Sequence, residues 1–151
     1  MLVSDLLNPE RVLVSAHATS KKRLLELVST TLAGDDDTAA SREIFESLIA
    51  RERLGSTGLG NGVAIPHGRI SGSEGVQAAF VRLARPLDFD AIDGKPVDLL
   101  FALAVPEHCT GDHLKLLSQI AELFSDEQFL QQLRDASDCS ELLQLLSSTK
   151  H

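Results

Sequence analysis

Cysteine is scarce in this sequence, basic charge is in deficit, and no long apolar run occurs. The two cysteines, Cys109 and Cys139, lie far apart and form no Cys-x-x-Cys pair. That argues against a disulfide framework and for a reducing, cytoplasmic setting. Lysine and arginine total 14 against 22 acidic residues, a formal net charge of −8. No nucleic-acid partner is expected, because a phosphate backbone needs a basic face. A basic protein partner suits the charge better. No stretch nears the roughly 20 apolar residues of a membrane span. The opening Met1-Leu2-Val3-Ser4-Asp5 carries no basic segment followed by an apolar one. Neither a signal peptide nor membrane insertion is therefore expected.

What is present is enough apolar material for a core. The chain has 151 residues and is 43% hydrophobic, so a single domain over residues 1–151 is expected. Arg11 to Ala16 reads as a short strand. Ser20 caps a predicted helix to about Ala33, with Leu24, Leu25, Val28 and Leu32 at helical spacing. A second helix starts near Thr38 or Ser41, carries Ile44, Phe45, Leu48 and Ile49, and stops at Gly55. Val76 to Ala84 and Val97 to Val105 are the strongest strand candidates, with Asp93-Gly94 as a turn signal between them. The run Leu99 to Val105 is wholly apolar, as a strand buried on both faces would be. Thr110 or Asp112 opens a third helix, and two shorter ones follow, the last behind an Asp138/Glu141 capping box. Helices precede, interrupt and follow the strands. The expected fold is α/β, a mixed β-sheet flanked by helices on both faces.

Five of the ten glycines, Gly55, Gly58, Gly60, Gly62 and Gly68, fall in one short window. This backbone is built for unusual dihedrals or close approach. The window has no P-loop lysine and leads into a strand rather than a helix, so nucleotide binding is not expected. Within it, Val63-Ala64-Ile65 reads as a small buried strand ending at Pro66-His67-Gly68. Proline restricts the backbone before His67, and Gly68 leaves room beside the ring. An imidazole nucleophile needs that: one nitrogen open to an electrophile, the other hydrogen-bonded to set the tautomer. For Pro-His-Gly alone, a turn with an incidental histidine is the plainer reading. His113 falls in the first turn of the third helix if Thr110 is its cap. There it could hydrogen-bond an anion or simply serve as a local cap. Arg51, near the end of the second helix, could neutralise a phosphoryl charge or complement the helix C-terminus. Arg53 has the same ambiguity. His67, His108, Cys109 and His113 could in principle form a mixed zinc site, but no pair has a firm ligand spacing.

Taken together, these residues resemble the enzyme IIA family of the bacterial phosphotransferase system, which spans mannitol, fructose and nitrogen-regulatory branches. The stretch from Arg51 to Gly68 carries the resemblance. It is supported by Phe89-Asp90-Ala91-Ile92-Asp93-Gly94, Pro96-Val97-Asp98-Leu99 and the junction from Val105-Pro106 to His113-Leu114. Gly55-Ser56-Thr57-Gly58 is more similar to the nitrogen-regulatory branch than to the sugar branches. Glu107-His108-Cys109 departs from the pattern and adds a histidine near the site. The resemblance implies a phosphohistidine carrier with His67 as acceptor, and His113 and Arg51 stabilising the phosphoryl charge. It implies an HPr-like phosphocarrier as donor, and regulated targets such as potassium transport regulators or sensor kinases. No metal or other cofactor is expected, since donor and acceptor are both imidazoles. Two alternatives stand beside this reading: a sugar-branch enzyme IIA that passes phosphate to a transporter subunit, and a regulatory binding module that works without phosphorylation.

Overall fold

The computed structural model describes residue 7 and residues 9–34, 38–70, 76–106 and 111–147, without the side chains of 38 and 111–114. After a 3-10 turn at Pro9–Arg11, the elements are β1 (Val12–Ala16), α1 (Lys21–Ala33), α2 (Thr38–Leu54), β2 (Gly58–Gly60), β3 (Val63–Ala64) and β4 (His67–Ile70). Then come β5 (Gln77–Leu87), β6 (Val97–Pro106), α3 (Gly111–Leu123), α4 (Glu127–Asp135) and α5 (Cys139–Ser147). Local chemistry accounts for the helix ends. The Ser20 side chain accepts from Arg23 N–H at the start of α1, and Gly34, with φ of 90°, returns its N–H to the Thr30 carbonyl. Asp126 caps α4 by accepting from Gln128 and Phe129 N–H. At α5 the expected capping box forms in a shifted version. Asp138 accepts from Glu141 N–H, while the Glu141 carboxylate accepts from Ser137 N–H rather than from the cap residue itself.

The strands form one mixed sheet in the order β1-β5-β6-β3-β2, with β4 also paired to β6. β5 runs antiparallel to β6, whereas β1 on β5 and both β3 and β4 on β6 are parallel. The apolar run of β6 conceals a period of two. Leu99, Phe101 and Leu103 join one core cluster with Phe80, Leu116, Ile120, Phe124 and Leu133, under α3, α4 and α5. Leu100, Ala102 and Ala104 join the other, with Ala79, Leu24, Leu25, Val28, Ile44 and Leu48, under α1 and α2. Both faces of the sheet are covered, as expected for a strand without alternation. The two sides differ in grain. On one, Phe124 contacts the rings of Phe80, Phe101 and Phe129 at centroid distances of 6.3, 5.6 and 5.9 Å. On the other, sheet alanines let α1 and α2 lie close.

α2 lies against β4 at Gly68. A Cβ there would stand 2.6 Å from Ser47 Oγ, 2.9 Å from Ser47 Cβ and 3.2 Å from the Leu48 backbone nitrogen. The Ser47 hydroxyl accepts the Arg69 N–H at 2.7 Å, which fastens α2 to β4. Gly68→Ala is expected to push α2 off the strand and destabilise the fold by about 1–3 kcal/mol, the usual cost of overpacking, read as a lower urea midpoint at unchanged slope.

Candidate functional site

The expected short strand proves to be longer than the sequence suggests. Val63 pairs with Leu99, Ala64 with Leu100 and His67 with Leu103, at one constant sequence offset. β3 and β4 are thus a single parallel strand along β6, and it continues to Ile70 rather than ending at His67. The break falls at Ile65-Pro66, because proline has no N–H for the ladder. Its carbonyl is still used, accepting Leu103 N–H at 3.0 Å. His67 therefore opens β4, held by the ladder on its C-terminal side and by the proline on the other.

Alternation decides where the ring points. Gly68 faces α2, so His67 and Arg69 face the opposite side of the sheet, where α3, α4 and α5 pack. The half-buried His67 ring folds back on its own strand, and its Nδ1 lies 3.1 Å from the Ile65 carbonyl oxygen. A carbonyl only accepts, so Nδ1 carries the proton and donates. In the neutral ring the lone pair is then on Nε2.

The glycine-rich window is a hairpin followed by this strand. Asn61 and Gly62 both have positive φ, 58° and 83°, and link β2 to β3 through the Asn-Gly pair that a two-residue hairpin turn favours. The turn is fastened from two sides. Arg134 of α4 holds Asp98 with Nε to Oδ2 and Nη2 to Oδ1, both at 2.9 Å, and its Nη2 also donates to the Asn61 carbonyl at 2.6 Å. A Cβ on Gly62 would meet Arg134 Nη2 at 2.4 Å. From the other side the Asp93 carboxylate accepts Asn61 N–H and Lys95 N–H, each at 3.0 Å. Segment 89–93 runs beside the loop throughout: Ser56 Oγ donates to the Phe89 carbonyl at 2.9 Å, and Gly58 abuts Ala91.

At the C-terminus of α2, Glu52 is a carboxylate whose side chain is only 5% exposed. It accepts both the N–H and the hydroxyl of Thr57, and pairs with Lys21 Nζ at 2.8 Å. Lys21 also lies 4.5 Å above the Phe89 ring. Sequence reasoning passed over Glu52, Lys21, Ser47, Asp98 and Arg134. One signal was available for Glu52: it is an acid in a helix C-terminal turn otherwise occupied by Arg51 and Arg53, where the helix dipole disfavours negative charge.

Of the sequence-predicted residues, Arg51 is carried by α2, the helix that packs on β4. Ser47 on Arg69, and Thr57 accepting from Ile65 N–H at 3.0 Å, bracket the two segments that carry Arg51 and His67. The guanidinium itself donates to the Gly55 carbonyl at 2.9 Å, the helix-terminus use weighed from sequence. His113 lies in the first turn of α3, a helix on the face to which His67 points, but its side chain is outside the described residues. His108 and Cys109 are outside them altogether, and with them the zinc alternative. Among the described residues, no helix is long and apolar enough to span a membrane.

Residues 5–149 match the family described as phosphoenolpyruvate-dependent sugar phosphotransferase system, EIIA 2. The chain belongs to this family. A nitrogen regulatory protein from Pseudomonas aeruginosa is 46% identical over 144 residues, covering 95% of this chain and 94% of the relative. The crystal structure of the nitrogen regulatory protein IIA-Ntr from Neisseria meningitidis superposes with a TM-score of 0.89 at 42% identity, covering 95% of this chain and 98% of the other. The Escherichia coli IIA mannitol protein, solved in complex with phosphorylated IIB mannitol, shares the fold at a TM-score of 0.77 and 18% identity, covering 95% of this chain and 98% of that one. The chain is thus an enzyme IIA component of the nitrogen-regulatory type, and the mixed sheet covered by helices is the family fold. As a component of that system it is a phosphotransferase in the loose sense, a carrier of phosphohistidine.

The Asp93 carboxyl is held below its ordinary value of 3.8, first by the Asn61 N–H and then by the Lys95 N–H, with Lys95 charge adding to the effect. Its folded value is lower than its unfolded value, so its contribution is present above 3.8 and is lost as pH falls through the folded value. The difference in Tm between this protein and Asp93→Asn should accordingly be constant above pH 5 and shrink on acidification below 3.8.

Proposed function

We propose that His67 is the phosphoryl acceptor, that it reacts through Nε2, and that its donor is phosphohistidine on an HPr-like carrier. The observation that supports this best is the Nδ1–H donation to the Ile65 carbonyl, which puts the lone pair on Nε2. The Nε2 lone pair attacks phosphorus, the donor's P–N bond breaks in line, and its electron pair stays on the donor imidazole. With the donor ring protonated on its other nitrogen, the donor imidazole leaves neutral and no proton has to move, because Nδ1–H keeps donating to Ile65 while the His67 ring takes on the positive charge. Such a transfer depends on position and charge stabilisation rather than on covalent help from the protein. Arg51 is assigned the charge-stabilising role for its guanidinium, whose fork geometry suits phosphoryl oxygens; to take them it would exchange the Gly55 carbonyl. His113 is assigned the second stabilising role on the strength of its place in the first turn of α3, where helix N–H groups favour an anion.

In this reading, residues 1–151 are one phosphocarrier domain that works in the cytoplasm and is regulatory rather than a step in transport. Phosphorylation adds a charge of roughly −2 beside His67 and changes which proteins can bind there. Targets such as potassium transport regulators or sensor kinases, which the family resemblance implies, fit that use. The net charge of −8 suits a donor with a basic docking face.

Intact mass after incubation with phosphoenolpyruvate and the upstream carriers tests the assignment. One phosphoryl group, stable to base and labile to acid, is expected on this protein and none on His67→Ala. A His67→Ala protein that still gains it would falsify the reading. Arg51→Met should slow transfer by about a hundredfold, the scale seen when one charge-stabilising donor is removed, with Arg51→Lys recovering only part of the rate.

A further inference from the structure

The described contacts of the loop join into a continuous path from a partly buried ion pair to the His67 ring. Lys21 Nζ is 2.8 Å from a Glu52 oxygen. The Glu52 carboxylate accepts from the Thr57 N–H at 3.1 Å and from the Thr57 hydroxyl. The Thr57 carbonyl accepts Ile65 N–H at 3.0 Å. The carbonyl of that same Ile65 accepts His67 Nδ1–H at 3.1 Å. Three residues separated in sequence, on α1, α2 and the hairpin, thereby act on one imidazole nitrogen. We infer that Glu52 is a positioning residue for His67, working through Thr57 and Ile65, with Lys21 as its counter-ion. The inference rests on the proposed role of His67 and adds to it the group that keeps the ring in its reactive tautomer.

The physical case is that Ile65 carries both ends of the constraint. It precedes Pro66, so its backbone is restricted to extended geometry and its own ladder is interrupted. What holds the Ile65 peptide on the side away from β6 is its N–H bond to Thr57. Thr57 is held in turn by a carboxylate that accepts twice, and charge-assisted bonds are about twice as strong as neutral ones. A buried carboxylate is costly to keep unless it is paired. Glu52 is paired, and its pairing is directed at this one residue of the loop. The side chains of Asp93 and Arg134 reach the turn at residue 61, Ser56 holds the Phe89 carbonyl and Ser47 holds Arg69, none of them contacting Ile65.

The test uses the full chain, labelled with ¹⁵N, and reads the His67 tautomer from long-range ¹H–¹⁵N correlations, with the His67 signals assigned by their loss in His67→Ala. The parent protein should show the Nδ1–H form. Glu52→Ala should move the two ring nitrogens toward the averaged shifts of an exchanging pair of tautomers. Its single-turnover transfer rate should fall by about tenfold to a hundredfold, the scale of a displaced reacting group, with the donor concentration for half-maximal rate unchanged. Glu52→Gln keeps an oxygen for Thr57 N–H and should restore the ring signals. Parent-like ring signals in Glu52→Ala overturn the inference, as does a slower rate with the tautomer unaltered or a Glu52→Gln ring no better than that of Glu52→Ala. If Glu52→Ala does not fold by circular dichroism, Thr57→Val reports on the same path by removing only the hydroxyl arm. A shift of the ring signals in the same direction supports the inference, and unchanged signals overturn it. Phosphorylation of His67→Ala would remove the acceptor assignment and leave the tautomer comparison intact, so the two readings fail separately.

Discussion

Parallel pairing of residues 63–70 with β6 is the constraint from which the site follows. β6 is buried on both faces and bonded on both sides, so its backbone is held from every direction. A second strand laid along it inherits that rigidity. Pro66 interrupts the pairing without shifting its register, so the chain resumes the same alignment at His67. The Ile65 peptide faces away from β6, with its N–H on the Thr57 carbonyl, and its carbonyl accepts from a ring nitrogen two residues later.

Around that strand the structure is held by charged side chains directed at backbone groups. Arg82, on β5, donates to the carbonyls of Val14, Leu133, Arg134 and Ala136, and so closes the C-terminus of α4 against the sheet. Arg134 does the same for the hairpin turn, and Asp93 receives the N–H of the turn from the other side. Each takes a backbone group that the regular ladders leave over and gives it a charged partner. The effect is to make a glycine-rich stretch, which has high conformational entropy when free, behave as part of the sheet. An imidazole acting in phosphoryl transfer, as proposed for His67, would gain from this because positional error of an ångström is costly.

Much of the fold was legible because each element carries its own signal. Ser20, Gly34 and the leucine spacing of α1 give its span closely. The featureless apolar run of β6 reads as a doubly buried strand for the reason it is one. The Asn61-Gly62 hairpin was also legible from its residue pair, but the surrounding glycines obscured it, since they suggest irregular backbone rather than a short strand on either side. The length of the His67 strand was not legible. Nothing local to Gly68-Arg69-Ile70 marks it as paired; the pairing exists because β6 extends that far. At the site, the histidine and the nearby arginine stood out by residue type and neighbours. Glu52 did not, because a lone acid in a basic helical turn has meaning only once Lys21 and Thr57 are seen around it.

The sequence by itself determined the periodic elements, the covered sheet, the family and the candidate nucleophile. These depend on patterns within a few residues, or on motif residues that lie together in the chain. Only the tertiary structure decided that β3 and β4 are one strand, which face of the sheet His67 takes, which nitrogen carries its proton, and that Lys21 pairs with a buried Glu52. Those features arise where segments far apart in sequence meet, and no local periodicity records the contacts that join residues 21, 52, 57 and 65.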